Sequence, residues 1–339
     1  MKRISAVFCL VSALLTGCGI KEPLKGSCDI FSMDTYMNLQ AYGDAADAAL
    51  KKAESEIIRL EKLLSVTDVN SDTYKLNASH GSPTEVDSDV MELIRYGIDM
   101  GSKTSGSLDI TVYPVLREWG FTTGDYKIPT EDTINEILKN VGYDKIIFDN
   151  NEVTLPEGIE VDFGAIAKGY TSDRIMKIFR ENGISSAIIS LGGNVQTLGR
   201  KPDGSLWKVA VIDPFDPDKA VGILETANKA VITSGNYERY FTGDDGKNYC
   251  HIIDPSTGRP AENGLVSVTV IGESGIMCDA LSTALFVMGR DRAEELWRSD
   301  QSFDMILVES DGSIAVTDGI ADSFKIESRH NSEVISHES

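Results

Sequence analysis

With 339 residues, 41% of them hydrophobic, the chain can bury one large core or two interlocked subdomains rather than a string of small modules. Its 53 acidic residues against 32 basic ones give a formal net charge of −21, which makes nucleic acid and anionic lipid surfaces poor partners. Five cysteines at scattered positions exclude a disulfide framework.

Residues 1–17 read as an export signal: Lys2 and Arg3, then an apolar stretch from Ile4 to Leu15 that is too short to span a bilayer permanently. Leu15-Thr16-Gly17-Cys18 has the form of a bacterial lipobox, so Cys18 is expected to carry the lipid and open the mature chain. An ordinary cleaved signal with an incidental cysteine is the alternative. Losing Lys2 and Arg3 removes no acid and deepens the negative excess by two. The mature protein is expected at the outer face of the bacterial cytoplasmic membrane. Residues 18–28 form a tether, 29–327 the folded body, and 328–339 a flexible acidic tail.

Phe31 to Tyr42 predicts a strand. After Asp44 as an N-cap, Ala46, Ala49, Leu50, Ala53, Ile57, Leu60 and Leu64 recur at helical spacing and predict a long amphipathic helix. A second helix is expected from Asp87 to about Lys103, and a third from Thr130 to near Gly142. A hairpin follows, Lys145 to Phe148 and Glu152 to Leu155, turning at Asn150-Asn151. Beyond Asp162 a helix runs through Phe179 to a stop at Gly183. Strands are then expected at Ala187 to Leu191, Trp207 to Ile212, Val221 to Glu225 and Ala230 to Thr233. Asp279 falls on a further helix, Arg290 to Arg298 on another, and Met305 to Val308 pairs with Ser313 to Val316. Without a regular βαβ cadence, the fold class is α+β rather than a doubly wound sheet.

Four constellations carry chemistry. Asp279 and Thr283, four residues apart, put a carboxylate and a hydroxyl on one helical face. That helix is otherwise small and apolar, so burying the carboxylate costs several kcal/mol, roughly, unless a cation or hydrogen bonds compensate. Ahead of it, His251 opens the turn-rich run HIIDPSTGRP, which would hold its ring in place. The set suits a small hard cation holding a phosphorylated ligand. Asp162 to Gly169, DFGAIAKG, combines small residues with Lys168 at a helix start, where an anion can approach backbone N–H groups; a plain strand-to-helix connection is the other reading. Trp119 and Phe121 flank Gly120 and suit the edge or face of a planar heterocycle, or else form a core aromatic pair. Ser190 to Asn194, SLGGN, is a tight glycine turn, structural or ligand-facing. Cys250 and Cys278 adjoin the motif residues His251 and Asp279, where small buried filler is the simpler role.

Taken in order, these pieces resemble the ApbE family of lipoprotein FAD:protein FMN transferases: the lipobox at Cys18, Met33-Asp34-Thr35, LDITVYP at 108–114, WGF at 119–121, DFGAIAKG at 162–169, SLGGN at 190–194, HIIDPSTGRP at 251–260 and DALSTA at 279–284. The resemblance implies two interlocked subdomains of T-fold-like type with mixed, largely antiparallel sheets. It implies transfer of the FMN moiety of FAD onto a threonine or serine hydroxyl of an exported flavoprotein, with Mg2+ as cofactor and AMP as the leaving product. Asp279 and Thr283 through side chains, and Ala165 through its carbonyl, are the implied metal ligands. Met33, Trp119, Gly120, Phe121, Asp162, Lys168, His251 and Ile252 are implied to line the FAD site. Thr67 occupies the position after the first long helix that touches the flavin or adenine, as a threonine where a tyrosine is expected. His251 and Asp279 are the expected catalytic residues, His251 because an unperturbed imidazole titrates near 6.5. Two alternatives use the same residues: a Mg2+-dependent FAD pyrophosphatase giving FMN and AMP, and a non-catalytic exported FAD-binding lipoprotein.

Overall fold

The computed structural model describes residues 25–337. Cys18, the signal segment and the first part of the expected tether lie outside the described residues. A nine-stranded sheet organises the rest. Its spatial order is Lys25–Ser32, Thr35–Tyr42, Ser186–Leu191, Asn194–Leu198, Ala230–Gly235, Leu265–Gly272, Phe303–Glu309, Ile314–Thr317 and Ser332–Ile335. Every pairing is antiparallel except the last, where Ser332–Ile335 joins Ile314–Thr317 in parallel. The α+β expectation holds.

Two boundaries differ from the sequence reading. The single strand expected at 31–42 is a hairpin: it takes in the end of a first arm, Lys25–Ser32, that begins inside the expected tether, then the turn and the second arm, Thr35–Tyr42. Met33 and Asp34 turn between the arms with φ of 51° and 58°, the left-handed pair a two-residue hairpin loop needs. At the other end the expected tail supplies the Ser332–Ile335 strand. Ile335 is buried, and the His337 ring stacks on Trp297 with centroids 3.8 Å apart. A short polar strand at a sheet edge has little apolar periodicity to read, which is why both were missed.

The first half of the sheet is covered by the Ala46–Leu64 and Ala167–Glu181 helices. Ala46, Ala49, Leu50, Ala53 and Ile57 from one, and Ile175, Met176 and Phe179 from the other, pack on Met37, Leu39 and Ile189. In the second half, inside the exposed edge strand Ser332–Ile335, both faces are buried. Val268, Val270, Met305 and Leu307 face the largest core, while Ile271, Ile306 and Val308 face a three-stranded sheet of Trp207–Asp213, Asp216–Thr226 and Phe324–Ile326. Between Tyr42 and Ser186 the chain leaves the large sheet. That excursion includes the Ser88–Lys103 and Glu131–Leu138 helices and a small sheet of Thr84–Glu85, Ile147–Asp149 and Glu152–Thr154. The two parts are tied at Asp89, whose carboxylate pairs with Arg59 and accepts from Tyr170 Oη at 2.6 Å, joining three helices through one buried acid.

Candidate active site

The Gly275–Met288 helix carries Asp279 and Thr283. Ser274 caps it, accepting from Met277 N at 3.4 Å. It crosses the start of the Ala167–Glu181 helix at two glycines. An ideal Cβ on Gly169 would lie 2.3 Å from the Gly275 carbonyl oxygen. That approach brings the Asp279 carboxylate onto the other helix's N-terminus: Oδ2 accepts from Gly169 N at 2.8 Å, and Oδ1 accepts from Asn194 Nδ2 at 2.9 Å. Asp279 is only 4% exposed, and burial raises its pKa above the usual carboxylate range while nearby Lys168 opposes the rise. Thr283 Oγ1 lies 3.3 Å from Ser234 Oγ, which also reaches Ser282 Oγ at 2.8 Å.

Lys168 lies in the first turn of the Ala167–Glu181 helix, and its charge acts on Asp162, Glu238, His251 and Asp279. Asp162 accepts from Gly164 N at 2.7 Å through Oδ1. Burial raises its pKa, with Arg239 and Lys168 opposing. Glu238 is pushed up to about 7 chiefly by burial, with Asp279 adding to the rise and Lys168 countering it.

His251 follows the Asn248–Cys250 strand, which pairs with Tyr240–Thr242. Its backbone N–H donates to the Arg239 carbonyl at 3.1 Å, and Nδ1 sits 3.1 Å from the same oxygen. A carbonyl only accepts, so Nδ1 carries the proton and Nε2 keeps its lone pair. Burial brings the imidazole pKa down to about 4, with the charges of Lys168 and Arg239 acting in the same direction, so the ring is neutral at physiological pH.

The loop beyond His251 is rigid for visible reasons. Asp254 Oδ1 accepts from Ser256 N at 2.8 Å and Ser256 Oγ at 2.7 Å, and Gly258 turns at φ 65°. Trp119 Nε1 donates to the Gly258 carbonyl at 2.9 Å. Trp119 is therefore a structural residue. Its ring is 0% exposed and packs on Phe241 and Tyr249, Phe121 is equally buried, and Arg239 donates to the Phe121 carbonyl. The expectation that these rings face a planar heterocycle is corrected: the aromatic pair is core. Gly120, at φ 86°, is required because a Cβ would meet the Asp125 carbonyl at 2.2 Å.

Met33 sits at the hairpin tip, where its N–H donates to Glu61 Oε1 at 2.7 Å and its sulfur lies 3.9 Å from Thr171 Oγ1, four residues beyond Ala167. Thr67 is exposed, in a turn whose N–H groups bond to Ser65 Oγ. Ile252 is buried, its carbonyl accepting from Ala261 N. Cys250 and Cys278 are buried free thiols whose pKa values burial pushes up, as inert filler requires.

A model of the ApbE family matches residues 33–307. The chain belongs to the ApbE family. Curated relatives named FAD:protein FMN transferase include that of Escherichia coli K12, 32% identical over 260 residues and covering 74% of each chain. That of Vibrio cholerae is 31% identical over 290 residues, covering 83% of this chain and 86% of the relative. Among solved structures, the ApbE protein of Thermotoga maritima superposes with a TM-score of 0.83 at 32% identity over 88% of this chain and 99% of that one. The apo flavinyl transferase ApbE of Pseudomonas stutzeri gives 0.81 at 28% identity over 90% and 98%.

In this ApbE chain a cation would have to be held by a mixed set of oxygens. Among the described residues no group of three or more His, Cys, Asp or Glu side chains gathers to hold a metal. The donor set of Asp279, Thr283 and the Ala165 carbonyl nevertheless fits a hard cation. Ala165 precedes the Ile166 N-cap, so its carbonyl stands outside the helical ladder, and Gly169 N–H, four residues on, goes to Asp279. Sequence reasoning missed Glu238 and left Asn194 inside a glycine turn. A polar residue at the start of a buried strand was the available signal for Asn194.

Proposed function

We propose that the chain is an FAD:protein FMN transferase that moves the FMN moiety of FAD onto a threonine or serine hydroxyl of an exported flavoprotein and releases AMP. The observation that carries this reading is the neutral His251, its Nδ1–H held by the Arg239 carbonyl and its Nε2 open. A storage protein needs no proton acceptor fixed beside the Lys168 helix start; a transferase does.

The acceptor hydroxyl oxygen attacks the FMN phosphorus, and an O–P bond forms. The bond from that phosphorus to the bridging oxygen breaks, and AMP leaves with the electron pair. The hydroxyl proton passes to His251 Nε2. Lys168 offsets charge that builds on the phosphate oxygens, aided by the N-terminus of its helix. Asp279, Thr283 and the Ala165 carbonyl would hold Mg2+, which when bound neutralises charge on the diphosphate. Met33, Asp162, Ile252 and the backbone of 119–121 would line the FAD site, with Thr67 at its margin. A lipid on Cys18 would keep the enzyme at the outer face of the cytoplasmic membrane, where an exported acceptor can meet it.

The test is purified full-length protein incubated with FAD and Mg2+, with and without an acceptor fragment. Transfer predicts AMP only when acceptor is present, and FMN bound to the acceptor. His251→Ala is expected to lose on the order of 10²–10⁴ in rate while still binding FAD. Free FMN and AMP without acceptor would mean hydrolysis, and no AMP under any condition would leave a binding protein.

A further inference from the structure

The two crossing helices are locked by a second carboxylate that no motif marks. Asp173, on the Ala167–Glu181 helix, accepts from Gly275 N at 2.7 Å through Oδ1 and from Ile276 N at 3.1 Å through Oδ2; Oδ2 also accepts from Ser274 Oγ at 2.9 Å. Asp279, on the Gly275–Met288 helix, accepts from Gly169 N of the first helix. Each helix thus satisfies an N-terminal amide of the other with its own acid.

One strand supports both acids. In Asn194–Leu198, Asn194 Nδ2 donates to Asp279 Oδ1 at 2.9 Å, and Gln196 Nε2 donates to Asp173 Oδ1 at 2.9 Å. Residues 194 and 196 project from one face of the strand, and both are buried. The glycines at the crossing leave no slack, since a Cβ on Gly275 would meet Ser172 Oγ at 2.1 Å and the Gly169 carbonyl at 2.6 Å. Shifting either helix along the other would break amide bonds at both ends of this arrangement together.

We propose that Asp173 is a positioning residue that sets the register of the Gly275–Met288 helix against the Ala167–Glu181 helix, and so fixes Asp279 and Thr283 relative to the Ala165 carbonyl and Lys168. The inference rests on the reading of those three oxygens as cation ligands. It assigns Asp173 no contact with substrate: the residue acts through the frame on which the ligands are mounted.

Mn2+ binding by the full-length chain in the presence of FAD, with free Mn2+ read by electron paramagnetic resonance, separates this role from simple stabilisation. Asp173→Ala should weaken Mn2+ binding on the order of 10–100-fold. Asp173→Asn, which keeps the oxygen facing Gly275 and Gln196, should fall between that variant and wild type, and it serves where the alanine variant does not fold. Asn263→Ala is the control, because Asn263 Nδ2 bonds the Phe286 carbonyl at 2.6 Å and the Val287 carbonyl at 3.1 Å, at the far end of the same helix. It should lower the melting temperature yet leave the Mn2+ dissociation constant within about threefold, small beside the loss expected of Asp173→Ala. Unchanged Mn2+ affinity in both Asp173 variants, or an equal loss in Asn263→Ala, overturns the positioning role while the cation reading stands. If Asp279→Ala also binds Mn2+ normally, the cation reading itself falls and takes the positioning role with it.

Discussion

Gly169→Ala probes the helix crossing on which the site depends. The added methyl would sit 2.3 Å from the Gly275 carbonyl oxygen, 2.7 Å from its carbon and 2.6 Å from Asp279 Cβ. Two of the three atoms are backbone, so a side-chain rotation cannot relieve the clash and the helices must part. Overpacking of this kind costs about 1–3 kcal/mol. With roughly 2 cal/mol/K of unfolding entropy per residue, a chain of this size should lose about 1.5–4 °C in Tm. The chemical consequence is larger than the thermal one, because separation draws Gly169 N away from Asp279 Oδ2 and turns the carboxylate from its place. Differential scanning fluorimetry reads the first effect, and a Mg2+ titration of flavin transfer reads the second. Gly275→Ala should behave alike, and the double variant should cost less than the sum because one parting of the helices relieves both clashes. An unchanged Tm together with an unchanged Mg2+ requirement would refute the close crossing.

Trp119→Phe should lower stability by about 1–3 kcal/mol, since the buried Gly258 carbonyl loses its donor, while FAD affinity stays within threefold in a fluorescence titration. A large loss of FAD affinity at unchanged Tm would return the ring to the ligand site. For His251 the folded pKa of about 4 lies below the unfolded value near 6.5, so the unfolded state takes up the proton first on acidification. Its contribution is intact above about pH 6.5 and is lost as pH falls toward 4, so wild-type Tm should drop more steeply over that window than that of His251→Gln. Cys18→Ser should move the protein from the membrane fraction to the soluble exported fraction without changing its flavin transfer in solution; retention in the membrane would count against the lipid anchor.

Much of the fold was legible because burial leaves a period. The seven apolar positions read on the Ala46–Leu64 helix are its seven buried residues, and Asp87 and Thr130, read as helix starts, are the N-caps there. Asp44 is not the cap of the long helix, which Ala45 precedes without a side-chain bond. Leu265–Gly272 escaped notice although Val266 to Val270 alternate apolar and polar; the polar members, Ser267 and Thr269, are buried too. In the site, Asp279 and Thr283 were visible from spacing within one helix. Asp173 was not, since it matters through Ser274, Gly275 and Ile276, 101 to 103 positions away. Trp119 shows the opposite failure: an aromatic-glycine-aromatic triplet suits a flavin or a core equally, and only the Gly258 carbonyl decides between them.

The most direct measurement counts AMP released against FMN esterified to a co-expressed or added acceptor, by mass spectrometry, for wild type and Asp279→Ala. One AMP per modified threonine or serine in wild type, and neither product above background in Asp279→Ala, is the predicted result. AMP formed without modified acceptor, or undiminished modification by Asp279→Ala, would contradict a transferase built around that carboxylate.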